Sequence, residues 1–324
     1  MLNEISVEII RKCPNNCLHC SSFSNSDCQE IMPLEKFKEV VQDAASLGAN
    51  TICLSGGEPF LHNDIVEMVK FLHINRLNCY IYTSGIVFDN FGNYSSIPEK
   101  LLKSLSGYVT KLIFNIEAGT EKTYDRIMRT KDCYKKMQHS VIVANKYNII
   151  TEAHFVPTKL NVSEIDKVIE LCNDLKISKL SFLRLVVHGR ALINKKELLL
   201  SENEYKSLKE KLREIESKSR DLSIRIGVPL SDSKSCHKCE AARGKLNIKY
   251  DGNVYPCEVF KNFSFEHSLN GLKPASIYND SLKQIYNNSE YLAQVRKVYD
   301  DFFEQNKYES CLGQYLMDIE KEEN

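Results

Sequence analysis

The chain carries no excess of charge of either sign: 43 basic residues balance 43 acidic ones over 324 residues. No strongly basic face is implied, so nucleic acid is not an expected partner. No apolar run is long enough to cross a bilayer, and no membrane association is expected. The N-terminus, MLNEISVEII, lacks the basic region and long apolar core of a signal peptide. Against these absences stand twelve cysteines. Without an export signal, that number suggests metal ligation rather than disulfides, in a reducing compartment such as the cytoplasm.

Three of the cysteines, Cys13, Cys17 and Cys20, form a CxxxCxxC spacing in CPNNCLHC. Three close thiolates can hold three irons of a 4Fe–4S cluster, leaving the fourth iron without a protein ligand. A zinc site uses similar spacings. The segment Ile5–Ile10 alternates apolar and polar residues and reads as a strand, so the cysteines sit on the loop leaving its C-terminal end. Barrel folds keep their chemistry at that end. A second motif, Gly56-Gly57-Glu58-Pro59, also follows an apolar strand, Thr51–Leu54. Two glycines admit a close backbone approach to a ligand, and Glu58 can accept from an ammonium group.

Both motifs closing strands at this separation resemble the radical S-adenosylmethionine (SAM) enzymes. The resemblance implies that Cys13, Cys17 and Cys20 hold a cluster whose open iron chelates SAM, and that a 5′-deoxyadenosyl radical abstracts a substrate hydrogen. It implies that Gly56, Gly57 and Glu58 contact SAM, with Gly57 leaving space for the methionyl group. Ser84, in Thr83-Ser84-Gly85, stands at a strand end where the family has a Thr-Asn-Gly type turn. Asn115 and Glu117 stand where the family carries Ser-x-Asp, as candidates for the SAM ribose or methionyl end. Arg126 and Arg129 are candidates for its carboxylate. His19 is expected to pack at the cluster's edge. His154 and Arg184, on later strands, have even chances of facing inward.

Six strand patterns, at Ile5–Ile10, Thr51–Leu54, Cys79–Thr83, Lys111–Ile116, Ile150–Val156 and Lys179–Leu185, alternate with five helical segments. Repeated βα units predict a parallel sheet with right-handed crossovers. The expected fold is α/β, a partial (β/α)6 TIM-type barrel with a small C-terminal auxiliary domain holding cysteine ligands. The expected domains are 1–200, a core barrel; 201–230, a charged bridging helix and a strand; and 231–324, the auxiliary part.

The tail holds Cys236, Cys239, Cys257 and Cys311. Asp251-Gly252 between alternating runs signals a hairpin that delivers Cys257 at its exit. The tail resembles the twitch or SPASM extension of radical SAM enzymes. A full SPASM extension has seven cysteines and two clusters, whereas four suffice for one second 4Fe–4S cluster. Either Cys236 completes that cluster or an open iron binds substrate. A Cys236-x-x-Cys239 pair is also compatible with zinc. Enzymes with such tails modify ribosomally made peptides by crosslinking, thioether formation or epimerisation, which is the expected activity. The alternatives are a dehydrogenase or mutase acting on a sugar or nucleotide, and a non-enzymatic iron–sulfur or zinc redox sensor. Flavodoxin or ferredoxin is the expected reductant. No leader-recognition domain precedes the first strand, so a separate peptide-binding partner is expected.

Overall fold

The computed structural model describes residues 1–218, 222–231, 239–304 and 311–322. Cys236 lies outside these residues. The chain alternates β1 (Glu4–Ile10), α1 (Leu34–Ser46), β2 (Thr51–Gly56), α2 (Ile65–Ile74) and β3 (Asn78–Thr83). A hairpin of β4 (Ile86–Phe88) and β5 (Tyr94–Ser96) follows, then α3 (Glu99–Leu105) and β6 (Lys111–Asn115). Next come α4 (Glu121–Met128), α5 (Tyr134–Lys146), β7 (Ile150–Phe155), α6 (Ile165–Asp174) and β8 (Lys179–Phe182). Short α7 (Arg190–Ile193) and α8 (Lys195–Leu198) lead to α9 (Glu202–Lys218) and β9 (Ser223–Ile226). The hairpin β10 (Lys245–Ile248) and β11 (Val254–Tyr255) precedes α10 (Leu282–Asn288), α11 (Glu290–Glu304) and α12 (Leu312–Glu322).

One sheet runs β11-β10-β1-β2-β3-β6-β7-β8-β9. Neighbours from β10 to β9 pair in parallel; β11 alone is antiparallel. The six expected βα strands therefore sit side by side. The sheet also extends past both of their edges. α9 buries Leu208 and Leu212 in the core and carries the crossover from β8 to β9. Its charged outer face is as expected, but it packs as a sheet-covering helix instead of a solvated bridge. The predicted hairpin forms, and β10 pairs with β1 from Glu4↔Lys245 to Val7↔Ile248. The tail thus grows from the first strand of the barrel.

Strand alternation separates two environments. Ile5, Val7 and Ile9, Ile52 and Leu54, Leu112 and Phe114, Ala153 and Phe155, and Leu180 and Phe182 are fully buried. They face the helix layer, where α1 contributes Phe37, Val40, Val41 and Ala44 at helical spacing. Burying each large apolar side chain stabilises the fold by about 2 kcal/mol. The intervening positions face the lumen and, apart from Ile113 on β6, are polar: Glu4, Ser6 and Glu8 on β1, Lys111 and Asn115 on β6, Glu152 and His154 on β7, Lys179 and Ser181 on β8. A polar lumen in a partial barrel is a site in waiting, because each such group needs a partner or a ligand.

Candidate active site

The lumen opens at the C-terminal ends of the strands into a cavity of about 660 Å³, within the range of small-molecule sites. Cys13, Cys17 and Cys20 line it together with Gly56, Gly57, Ser84 and Asn115. Burial, and then the neighbouring Cys17, push the Cys13 thiol well up; burial and then Cys20 do the same for Cys17. Burial and a neighbouring thiol thus disfavour the thiolates of Cys13 and Cys17, and a bound cationic centre relieves that cost. Between them Asn15 is 1% exposed, and neither its amide oxygen nor its amide nitrogen has a partner among the described residues. The donor set and this orphaned amide fit a sulfur-ligated metal group in the loop.

Sequence reasoning missed what holds that loop. Arg190, at the start of α7, donates through Nε to the Cys17 carbonyl (2.7 Å) and through an η nitrogen to the Ser24 carbonyl (2.7 Å). Its backbone N–H donates to the Cys20 carbonyl, and Asn194 donates to the Leu18 carbonyl. Gly189 precedes it at φ +58°, and a Cβ there would lie 2.6 Å from the Ser21 carbonyl oxygen. Nothing local in the sequence ties position 190 to position 17. Replacing Arg190 by Ala leaves the buried Ser24 carbonyl unpaired and the Cys17 carbonyl with the Cys20 N–H alone (3.3 Å), and is expected to cost roughly 2 kcal/mol. Urea unfolding measures the loss, and iron content after reconstitution should fall with it.

The Gly56-Gly57-Glu58 loop docks on the exit of β1. Gly57 N–H donates to the Ile10 carbonyl (2.6 Å) and Glu58 N–H to that of Lys12 (2.9 Å). A Cβ on Gly56 would collide with the Ile10 carbonyl, and one on Gly57 with the carbonyls of Lys12 and Arg11. Gly57 lines the cavity, and a side chain there would also meet the backbone leading into the cysteine loop. Glu58 is fully buried and does not line the cavity. It accepts from the Thr83 hydroxyl (2.7 Å) and from the Ser84 hydroxyl (2.7 Å) and N–H (2.9 Å). Burial nevertheless holds its carboxyl above the usual range.

Glu117 is likewise occupied, 3.2 Å from His19 Nε2. Burial works against protonation of His19, but the charge and hydrogen bond of Glu117 together lift it above the usual imidazole range. Arg126 pairs with Glu197 (2.7 Å) and Arg129 reaches Asn194; both are exposed, away from the cavity lining. Of the polar residues considered for SAM, Ser84 and Asn115 line the cavity, whereas Glu58 and Glu117 brace its walls.

Three tail cysteines, Cys239, Cys257 and Cys311, come together as well. Burial pushes the Cys257 thiol well up, followed by Glu258, Cys311 and Cys239; burial and Cys311 raise Cys239. Arg184, just beyond β8, donates to Cys311 Sγ (3.2 Å) and to Gln314 Oε1 (2.6 Å). Glu258 and Lys261, next to Cys257 in the chain, line the same cavity as the N-terminal cysteines. Lys261 pairs with Glu8, 1% exposed, and hydrogen-bonds Ser22 (3.0 Å). Among the described residues, no three His, Cys, Asp or Glu side chains are arranged to hold a single metal ion. The five remaining cysteines, Cys28, Cys53, Cys79, Cys133 and Cys172, are buried apart from the two sets.

The floor of the cavity is a charged network. Glu152 accepts from Lys111 (3.0 Å) and lies 3.2 Å from Lys179, while Lys245 lies 2.9 Å from Glu4 and 3.4 Å from Glu258. His154 packs beside Tyr82, ring centroids 5.4 Å apart. Burial, then the charges of Arg225, Lys111, Lys179 and Lys245, push its imidazole down to about 3. The folded protein therefore binds fewer protons than the unfolded chain between about pH 6.5 and 3. His154 stability is complete above that window and is lost on acidification, by at most about 1.4 kcal/mol per pH unit. Denaturant unfolding across pH should show a shallower acid slope in His154→Gln.

The family model of the radical SAM superfamily matches residues 7–172, just over half of the chain. The chain belongs to the radical SAM superfamily. It is an enzyme, and the model of the SPASM iron–sulfur cluster-binding domain matches residues 231–313. These two matches imply iron–sulfur clusters and SAM binding. The "PqqA peptide cyclase" of Rhizobium meliloti (strain 1021) is 25% identical over 296 residues, 89% of this chain and 76% of that protein. The "Fe-coproporphyrin III synthase" of Methanosarcina barkeri is 25% identical over 181 residues, 56% of this chain and 43% of that one. The fold matches Streptococcus suis SuiB bound to S-adenosylmethionine with a TM-score of 0.70 at 16% identity, covering 90% of this chain and 67% of SuiB. It matches anSMEcpe with bound AdoMet and Cp18Cys peptide with a TM-score of 0.65 at 17% identity, covering 92% and 83%. Among the described residues of this radical SAM enzyme, no helix is long and apolar enough to cross a membrane.

Proposed function

We propose that this radical SAM enzyme modifies a ribosomally made peptide in the cytoplasm, using two 4Fe–4S clusters. The observation that carries the reading is the shared cavity, lined on one side by Cys13, Cys17 and Cys20 and on another by Glu258 and Lys261 beside Cys257. A substrate there lies between the two thiol sets. Bound at the first set, a cluster and SAM supply a 5′-deoxyadenosyl radical that abstracts a substrate hydrogen atom. Cys13, Cys17 and Cys20 would hold that cluster, and Cys239, Cys257 and Cys311 with Cys236 the second. The Gly56-Gly57 backbone, Ser84 and Asn115 face the SAM space. Glu58 and Glu117 act as positioning residues, the first through Ser84 and the second through His19. Arg184 holds Cys311 in place through its hydrogen bond to the sulfur.

The named activity of the Rhizobium relative supports the peptide class. Flavodoxin or ferredoxin would supply the electron, and a separate leader-binding protein would present the peptide. The polar lumen favours a second reading, a small polar substrate such as a sugar or nucleotide. Coexpression with short peptides encoded beside the gene, followed by mass spectrometry, separates the two. A peptide that loses hydrogen in step with 5′-deoxyadenosine formation is expected. Unmodified peptides alongside substrate-dependent consumption of a sugar or nucleotide would move the assignment to the second reading.

A further inference from the structure

The cations lining the lumen are matched one by one. Lys111 and Lys179 share Glu152, Lys245 sits between Glu4 and Glu258, Lys261 is on Glu8, and Arg190 is taken up by two carbonyls. Arg225, on β9, lines the same cavity and has no hydrogen bond or ion pair among the described residues. A partly buried guanidinium without a partner is costly, and its planar fork matches a carboxylate through two parallel hydrogen bonds.

The strand register gives Arg225 neighbours. Asn115 pairs with His154, His154 with Ser181, and Ser181 with Arg225, so one transverse row crosses β6 to β9 at the cavity. All four side chains line it. His154 also lacks a hydrogen-bond partner among the described residues and is held neutral, partly by the charge of Arg225 itself. A neutral imidazole can donate to an anion without bringing a second full charge, and the Ser181 hydroxyl can do the same. β9 ends the sheet, with β6, β7 and β8 between it and β3, whose exit carries Ser84. The β9 end of the row therefore reaches the cavity on the side away from the Gly56-Gly57 and Ser84 loops, while its Asn115 end borders the SAM space.

We propose that Arg225, flanked by His154 and Ser181, is an anion subsite that grips a carboxylate of the substrate, so that the modified peptide presents an acidic group next to its reacting position. The inference rests on the peptide reading and deepens it. The source of the carboxylate is an Asp or Glu side chain or a free C-terminus.

The test is ligand-detected saturation-transfer NMR on the anaerobically reconstituted holoenzyme with saturating SAM. N-acetylglutamate α-methylamide probes a side-chain carboxylate, N-acetylglutamine α-methylamide is its neutral match, and N-acetylalanine probes a terminal carboxylate. The glutamate probe is expected to bind about tenfold more tightly than the glutamine probe, the scale of one charged hydrogen-bond pair. Arg225→Gln should remove that difference, and Arg225→Lys should keep a fraction of it, charge without fork. Tighter binding of N-acetylalanine supports the same subsite with a terminal carboxylate as its ligand. Equal binding of the matched probes, a preference unchanged in Arg225→Gln, or loss of SAM affinity in that variant would each overturn the proposal. If Arg225→Gln loses iron or helical content, Ser181→Val, which removes a neighbouring donor, must weaken the glutamate probe selectively for the proposal to stand. Binding is read without turnover, so an enzyme that grips the carboxylate but forms no 5′-deoxyadenosine would fail the functional reading alone.

Discussion

Anaerobically reconstituted protein with Cys13, Cys17 and Cys20 all replaced by Ala is expected to release no 5′-deoxyadenosine with dithionite and SAM. The wild type should release it. The loss should be complete, not partial, because these three are the cysteines that line the cavity, and His19 is engaged with Glu117. The variant should still fold. Its loop remains held by backbone groups of residues 17, 18, 20 and 24, bonded to Arg190 and Asn194 and not to sulfur. Far-UV circular dichroism like that of the wild type, with zero cleavage, is the expected pair of results. Persisting cleavage would end the assignment of these ligands.

The second large effect concerns the tail. Replacing Cys236, Cys239, Cys257 and Cys311 by Ala is expected to halve the iron, from about eight to about four atoms per chain. Product should disappear while uncoupled 5′-deoxyadenosine formation survives. The first set lines the cavity, which Glu258 next to Cys257 also lines, but the two sets hang from different elements, Cys13, Cys17 and Cys20 on the β1 loop and Cys257 and Cys311 at the β11 exit and α12 start. The first set should therefore load without the second. Iron and sulfide analysis beside Mössbauer spectra of both proteins decides the matter. Stoichiometric zinc in the tail of fully active, anaerobically prepared protein would show that the second centre is not a cluster.

Much of the architecture was legible because its signals are local. β1 reads EISVEII, and its alternation already separates a helix-facing from a lumen-facing side. α1 shows its apolar face at helical spacing, and Asp251-Gly252 announces the β10–β11 hairpin. The short β4–β5 hairpin was not expected, because three-residue strands leave too few alternations to be seen. The charged surface of α9 hid a two-leucine contact, Leu208 and Leu212, that makes it a crossover helix.

By itself the sequence determined the chemistry on offer: three thiols at CxxxCxxC spacing, glycines at a strand end, and cysteines behind a hairpin. These are properties of residues near one another in the chain. Only the tertiary structure decided what those groups do to each other. It gave Glu58 its bonds from Thr83 and Ser84, set Glu117 against His19, and strapped the cysteine loop with Arg190 from more than 160 positions away, as in its 2.7 Å bonds to the carbonyls of Cys17 and Ser24 (separations of 173 and 166). It also left Arg225 as the lumen cation without a partner among the described residues. Ion pairing and desolvation act over a few ångströms of space regardless of sequence separation, and a parallel sheet with long crossovers brings together side chains that no local pattern connects.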